Sequence, residues 1–459
     1  MVKHLYLFYS AVISILLIFG LVAILKKNKD YFKRVKGLKR GSDKKAKGII
    51  FGKIGIFQRV LYSPTDNEGH ACVIGGSGSG KTVWLINTLR NWTGTSFAID
   101  ISGDISSNVP CDRKLVYDPL EPSTIPFNIF GAIDELQTEA EKNEALEQLA
   151  YQLMPDQVNI SDSGRFFLNE GRKFLIASLI AFYHEGADFI PICERLVSAN
   201  YLTVINQIKA TKNKQAIKYI AGFEGANEQN TAGCYQSCVS SIHLFGTNQT
   251  VQKTIHRPIN NEICFTAKTL NKYNVYVLIP DEKLETLAPL LHIITAQILN
   301  FLSARSNNEK NTILLCLDEF ASLGKLDILP ALRKLRKKKI RILVLTQSLA
   351  DLDLIYGKNE RTAMLNNFNF KIVLSASDVD TQEYFSKLAG THKVKKETIN
   401  KNNSYGVTNS TSITYIDEAN IKPTEFAALN KKLVLLYAGG YYKLKKIYYF
   451  KKRGYKKND

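Results

Sequence analysis

The chain has 459 residues, 45% of them hydrophobic, with 61 lysines and arginines against 42 acids and a formal net charge of +19. That length leaves room for two domains, and the charge favours anionic partners, either nucleic acid or anionic lipid. The seven cysteines are scattered with no C-x-x-C pair, and Cys234 and Cys238, one turn apart near His243, lack a fourth ligand; this argues against a zinc site and for buried, reduced thiols in a cytosolic body.

In chain order, residues 1–4 are expected to be a short external N-terminus. Leu5 to Leu25 carry no charged side chain. As a helix at about 1.5 Å per residue the run spans roughly 31 Å, close to the hydrocarbon thickness of a bilayer. A signal peptide would be shorter and end in a small-residue cleavage site. Here Val22-Ala23-Ile24-Leu25 runs directly into Lys26-Lys27, which reads as an uncleaved transmembrane helix over 5–25. Lys3 alone precedes it, whereas Lys26, Lys27, Lys29, Lys33, Arg34, Lys36, Lys39 and Arg40 follow. The positive-inside rule then expects a single-pass protein with the bulk of the chain cytoplasmic. Residues 26–48 form a basic juxtamembrane linker suited to anionic lipid head groups.

His70 to Ile74 reads as a short buried strand, and Val83 to Leu89 as the start of a helix. Between them Gly75-Gly76-Ser77-Gly78-Ser79-Gly80-Lys81-Thr82 fits G-x-x-x-x-G-K-[ST], the phosphate-binding loop of nucleotide hydrolases, in the strand–loop–helix context that motif needs. The glycines let several backbone N–H groups converge on one phosphate at a helix N-terminus. Lys81, expected to face solvent, would reach the β- and γ-phosphates of ATP, and the Thr82 hydroxyl would ligate Mg²⁺.

Ser96 to Asp100 and Lys114 to Pro119 read as further strands. From Asp134 to about Phe245 helical periodicity takes over, as in Ala140 to Met154 and Arg165 to His184, which predicts an all-α inserted domain over 134–256. Strands are expected again at Glu262 to Ala267 and Val275 to Pro280, then a helix from about Thr286 to Arg305. Thr312 to Asp318 is an apolar run ending in Asp318-Glu319, the Walker B pattern. Asp318 would hold Mg²⁺, and Glu319 would orient or deprotonate the attacking water. The wide separation of Lys81 from Asp318 supports the helical insertion between them.

Gln347 ends the strand Ile342 to Thr346, where it either senses the γ-phosphate or merely caps the strand. Arg333, Arg336 and Arg341 stand among lysines; one would serve as an arginine finger on a neighbouring subunit, and the rest form a solvated or DNA-contacting face. Phe370 to Ser375 is a last strand, and Lys395 to Tyr415 reads as a mobile loop or hairpin. The chain ends in Lys443, Lys445, Lys446, Lys451, Lys452, Arg453, Lys456 and Lys457, interleaved with Tyr441, Tyr442, Tyr448, Tyr449 and Tyr455. That pattern suits base stacking, or equally a lysine-protected edge strand followed by a solvated tail. Alternating strands and helices predict an α/β fold with a mostly parallel sheet, the nucleotide-binding domain comprising 49–133 and 257–459.

Several stretches resemble the type IV secretion coupling proteins, the TraG/TraD-like ATPases of conjugation. They are Leu317-Asp318-Glu319-Phe320-Ala321-Ser322-Leu323-Gly324, Leu345 to Leu352 with Tyr356-Gly357 after it, Leu365-Asn366-Asn367, and Ala98 to Ile101 with Ser102-Gly103-Asp104. The resemblance covers roughly residues 60 to 440 and implies a RecA-like P-loop ATPase, a homo-hexameric ring at the bacterial inner membrane. It implies that Lys81, Thr82, Asp318, Glu319 and Gln347 match the family's nucleotide site, and that Arg336 occupies the place of an arginine before the glutamine strand. It implies ATP and Mg²⁺ as cofactors, and single-stranded DNA with a relaxase-type protein cargo as substrate, passed to inner-membrane components of the secretion channel. The pattern departs from the family in having one expected span rather than two enclosing a periplasmic domain, in Ser102-Gly103 where Lys-Gly is usual, and in a short C-terminus. Competing readings are an FtsK-like double-stranded DNA translocase and an effector-protein receptor of a type IV secretion system.

Overall fold

The computed structural model describes residues 37–101, 103–157, 160–260, 262–402 and 408–451, so the expected membrane span and the tail after Lys451 lie outside the described residues. Before the phosphate loop come three strands, β1 (Lys39–Gly41), β2 (Gly48–Ile54) and β3 (Arg59–Pro64), paired antiparallel. The centre is built by β4 (His70–Ile74), β5 (Thr95–Asp100), β6 (Lys114–Tyr117), β7 (Asn274–Leu278), β8 (Ile313–Leu317), β9 (Ile340–Thr346) and β10 (Phe368–Val373). These pair in parallel in the order β10-β4-β9-β8-β5-β7-β6. Every residue of β4, β8 and β9 is buried. Near-continuous apolar sequence is what a strand covered on both faces requires.

Two further strands, β11 (Thr391–Asn402) and β12 (Thr408–Ala419), form a separate hairpin, so of the two readings of that polar stretch the hairpin is the one observed. Finally β13 (Lys432–Tyr437) and β14 (Gly440–Lys445) run antiparallel and join β10 to β2. The result is one twelve-stranded sheet. β14 is therefore interior to the sheet, which corrects the edge-strand reading. Along it the buried Tyr442 and Leu444 alternate with the exposed Lys443 and Lys445. Tyr442 and Tyr449 are core residues, so they are not available to stack bases. The lysine–tyrosine interleaving is the period-two pattern of a half-buried strand.

On one face of the sheet lies the helix that follows the phosphate loop, α1 (Lys81–Leu89), with Trp84, Leu85 and Ile86 in a cluster with Val73, Leu314 and Leu343. The helical insertion comprises α2 (Glu139–Leu153), α3 (Asp162–His184), α4 (Phe189–Ser198), α5 (Tyr201–Ala210), α6 (Lys214–Ile220) and α7 (Glu228–Thr247). Thr138 and Glu141 close a capping box at the start of α2, and Ser161 and Asn200 cap α3 and α5. Gly171 on α3 lies so close to α7 that a Cβ there would sit 2.8 Å from the Cys234 carbonyl oxygen. Cys234 and Cys238 face this crossing as buried thiols, and burial pushes Cys238 up to about 12.

One expected strand is absent. Residues 262–267 contribute only a single bridge, Phe265 to Phe127. Phe265 packs there with Phe127 and Tyr117 at ring distances of 5.2 and 5.9 Å, so its apolar character serves an aromatic anchor rather than a strand. The next helix, α8 (Leu284–Ala304), is long and apolar enough to cross a membrane, but half of that window is buried and its leucines belong to the core.

At the N-terminal end of β4, His70 and Arg341 are locked into the interior. Arg341 is 1% exposed, and it donates from Nε to the Gly69 carbonyl at 2.9 Å and from Nη1 to the Pro64 carbonyl at 2.9 Å. It therefore ties down the turn between β3 and β4 and cannot be a finger. His70 Nδ1 accepts from the Ile342 N–H at 2.9 Å, and burial, helped by the Arg341 charge, lowers its pKa to about 4. The unfolded chain takes up a proton near pH 6.5 that the folded chain refuses. Stability should thus be full above about pH 6.5 and fall as pH drops toward 4, by about 3 kcal/mol from this one group. Guanidinium unfolding at pH 7 and pH 4.5 checks this: His70→Asn, which keeps an acceptor but cannot charge, should lose clearly less stability on acidification than the unaltered protein.

Candidate nucleotide site

Gly75 through Gly80 turn the chain from the end of β4 into α1, and two positions of that turn have a backbone only glycine adopts readily. Gly78 has φ +69° and Gly80 φ +90°, and an added Cβ at either would meet nothing within 4 Å. Conformation, not crowding, demands glycine here. The loop is pinned at its start, where Gly75 N–H donates to the Thr346 carbonyl at 3.1 Å and Gly76 N–H to Ser375 Oγ at 3.2 Å. Both contacts reach the C-terminal ends of neighbouring parallel strands, the end at which open α/β sheets bind ligands.

Register places the acids. Ile74 pairs with Thr346, and Val344 pairs with Leu317, so the ends of β4, β9 and β8 lie side by side. Asp318 and Glu319 therefore emerge next to the loop, and Gln347 emerges between them. Lys81 is only 8% exposed, which corrects the solvent-facing expectation. Its Nζ donates to the Gly75 carbonyl at 2.9 Å and pairs with Glu319 Oε1 at 3.3 Å. Gln347 Nε2 donates to the other carboxylate oxygen, Oε2, at 3.3 Å. Glu319 thus bridges Lys81 and Gln347, and it does so from a left-handed backbone, φ 43° and ψ 47°. A non-glycine residue there stores of the order of 1 kcal/mol or more of strain.

Asp318 is 5% exposed and accepts from the Glu319 N–H at 3.0 Å. Burial first, and then the Glu319 charge, push its carboxyl up to about 6. A desolvated carboxylate repelled by a second one is a setting that a divalent cation relieves. Thr82, half-exposed at the start of α1, lines the cavity before the loop together with Glu319. The oxygen donors fit Mg²⁺. The cavity before the loop holds about 420 Å³ and is also lined by Asp281 and Ser322, which the sequence reading did not single out. A larger cavity of about 720 Å³ lies between α2, α3 and α8; in it Arg172 is held by the Met154 carbonyl and Asp156, and Lys325 by Glu360.

Arg336 is not brought to this site. It pairs with Glu68 at 3.1 Å, ahead of the N-terminal ends of β4 and β9. A strand the length of β9 separates the two poles, roughly 20 Å at about 3.3 Å per residue. Asp100, the acid ending β5, is fully buried and accepts from the N–H groups of Ile105 and Ser106, so it caps the short helix Asp104–Asn108. Beyond the glutamine, the helix Leu349–Asn367 begins on a capping box of Ser348 and Asp351, and its Tyr356 ring stacks on Phe320 at 5.5 Å.

Residues 24–459 match the family model described as Type IV secretory system Conjugative DNA transfer. The chain is 24% identical over 427 residues to Protein VirD4 of Agrobacterium fabrum, covering 89% of this chain and 63% of that protein. It is 23% identical over 363 residues to a probable conjugal transfer protein TraG of Sinorhizobium fredii, covering 74% and 55%. The chain thus spans about three fifths of the length of the curated relatives it matches first. Among solved structures, the unbound bacterial conjugative coupling protein TrwBdeltaN70 superposes with a TM-score of 0.70 at 19% identity over 93% of this chain and 96% of its own. TrwB in complex with ADP and Mg²⁺ gives 0.65 at 20% identity over 83% and 86%. These likenesses establish the fold as the RecA-like P-loop α/β type.

The loop conformation carries its own test. Gly80→Ala should cost about 1 kcal/mol in denaturant unfolding, the strain of a left-handed backbone with no new contact. A loss beyond about 3 kcal/mol would mean that contacts, not φ, govern the position.

Proposed function

This chain belongs to the Type IV secretory system Conjugative DNA transfer family, and we propose that it is a Mg²⁺-dependent coupling ATPase. It would recruit single-stranded DNA with its attached relaxase-type protein and drive both into a secretion channel. The observation that carries this reading is Glu319, held between the buried Lys81 and Gln347 at the aligned ends of β4, β9 and β8. An incoming triphosphate competes for the Lys81 ammonium. As Lys81 turns to the β- and γ-phosphates it releases Glu319, and the freed carboxylate takes the proton of the attacking water. Gln347 keeps that carboxylate aimed from the neighbouring strand. Thr82 and Asp318 would hold Mg²⁺, which when bound neutralises phosphate charge.

Arg336 faces away from its own chain's nucleotide site, so as a finger it would act only on a neighbouring subunit. That placement favours a ring, the homo-hexamer of the family resemblance. The division into an all-α insertion over 134–256 and a nucleotide-binding domain over 49–133 and 257–459 is part of the same reading. So is the single-pass anchor over 5–25, with the basic linker 26–48 on anionic lipid of the inner membrane beside the secretion channel. The exposed cations Arg333, Lys334, Arg336, Lys337 and Lys339 form a basic rim at the pole opposite the phosphate loop. That rim, rather than the buried tyrosines near the C-terminus, is the surface offered to DNA phosphates.

Two measurements test the proposal. Glu319→Gln should still bind ATP but hydrolyse it about 10²–10⁴-fold more slowly, the range for loss of a general base. Lys81→Ala should lose binding as well as turnover; equal hydrolysis by either variant and the unaltered protein would refute the site. Single-stranded DNA binding should weaken steeply with salt, with a slope of about −0.7 per phosphate contact. Replacing Arg333 and Lys337 with Gln should make that slope shallower. A response flat in salt would favour the effector-receptor reading instead.

A further inference from the structure

The segment after β14 lies against the nucleotide site, far from it in sequence. Lys446 Nζ donates to the Ser79 carbonyl at 2.8 Å, and its own N–H donates to the Lys431 carbonyl at 3.0 Å. One residue on, the Ile447 carbonyl accepts from Asn87 Nδ2 at 2.7 Å, on the buried side of α1. Tyr449 then packs under Arg90, whose guanidinium lies 5.9 Å from the ring centre. The ammonium of Lys446 is half-buried and has no carboxylate partner among the described residues, so it spends its charge on a single backbone carbonyl of the phosphate loop.

That carbonyl belongs to the peptide that joins Ser79 to Gly80. The Ser79–Gly80 bond is trans, so its C=O and N–H point in opposite directions. Holding the oxygen toward Lys446 therefore aims the Gly80 N–H the other way. Ser79 and Gly80 line the cavity and Lys446 does not, so the other way is into the cradle. A flip of this unit would turn ψ of Ser79 and φ of Gly80; Gly80, at φ +90° and with no Cβ contact, leaves that rotation open on its side, and a flip would present an oxygen to a phosphate oxygen. The cation also polarises the amide and strengthens its N–H as a donor.

Resting on the nucleotide-site reading above, we infer that Lys446 is a positioning residue for the triphosphate. It locks the Ser79–Gly80 peptide in its phosphate-binding orientation and makes the segment 446–449 a support for the phosphate loop from outside the cavity.

The test uses the full-length chain and a fluorescent ATP analogue with Mg²⁺. Lys446→Met should raise its Kd roughly three- to tenfold, the worth of one partly exposed charge-assisted hydrogen bond. The KM for ATP should rise in parallel, with kcat at saturation within about twofold. Lys446→Arg should restore both. Lys446→Gln, which keeps a donor but not the charge, should fall between them and serves as the informative variant if the Met form does not fold. A merely structural lysine would lower the melting temperature of Lys446→Met and leave the Kd of its folded fraction unchanged, and that result overturns the inference. Lys81→Ala, run alongside, separates the two claims. If it loses binding while Lys446→Met and Lys446→Gln keep it, only the lock fails; if the unaltered protein binds no ATP, the site and the lock fail together.

Discussion

Lys81 has almost no access to water, and a desolvated ammonium needs an oxygen partner in any state the protein occupies. Here it finds the Gly75 carbonyl and Glu319. This requirement links three strand ends into one unit, because each partner is delivered by a different strand. β4 delivers the loop, β8 the carboxylates, and β9 the glutamine that holds the second oxygen of Glu319. The site is therefore strung across the sheet, and its geometry is only as good as the register of β4, β9 and β8. All three strands are buried on both faces, so a one-residue slip would exchange the side chains packed on the two sides of the sheet and force both layers to repack.

The same pair also sets the electrostatic balance. Glu319 is close enough to Asp318 to help raise its pKa, yet it is neutralised in part by Lys81. Moving Lys81 away takes a positive charge from beside both carboxylates at once. The strained backbone of Glu319 belongs to this balance: from its left-handed φ Glu319 lines the cavity before the phosphate loop, while the adjacent Asp318 stays buried. The stack of Phe320 on Tyr356 then ties the residue after the acids to the helix after Gln347, so a shift at Glu319 has a rigid neighbour to push against.

Much of this was legible in the sequence, and for identifiable reasons. The strand His70–Ile74 before the glycine-rich loop and the strand Ile313–Leu317 before Asp318-Glu319 are set by local chemistry, and the helices between Glu139 and Thr247 by their period; these elements lie where expected. What sequence reading missed depends on long-range pairing. β14 looks like a charged tail until β2 is known to lie beside it; only then do Tyr442 and Leu444 become core and Lys443 and Lys445 its outer face. Arg341 looks like a surface cation among lysines, and the carbonyls of Pro64 and Gly69 that bury it lie some 270 residues away. Lys81 was expected in solvent because the motif says nothing about the acid that covers it. Phe265 carries an apolar signal that a strand and an aromatic anchor share.

The strand order has a consequence for how the molecule comes into being. Helices α2 to α7 are contiguous in the chain and can close their core, with Gly171 set against Cys234, while the rest is still being made. β4 is made early, but its neighbours β9 and β10 come some 270 to 300 residues later. The Lys446 contact on Ser79 spans 367 positions. Such non-local, parallel pairing is slow to form and has to wait for the end of synthesis. A ribosome-bound chain thus has its contiguous helices α2 to α7 made while the strands on either side of β4 are still missing, and the phosphate cradle is not yet built.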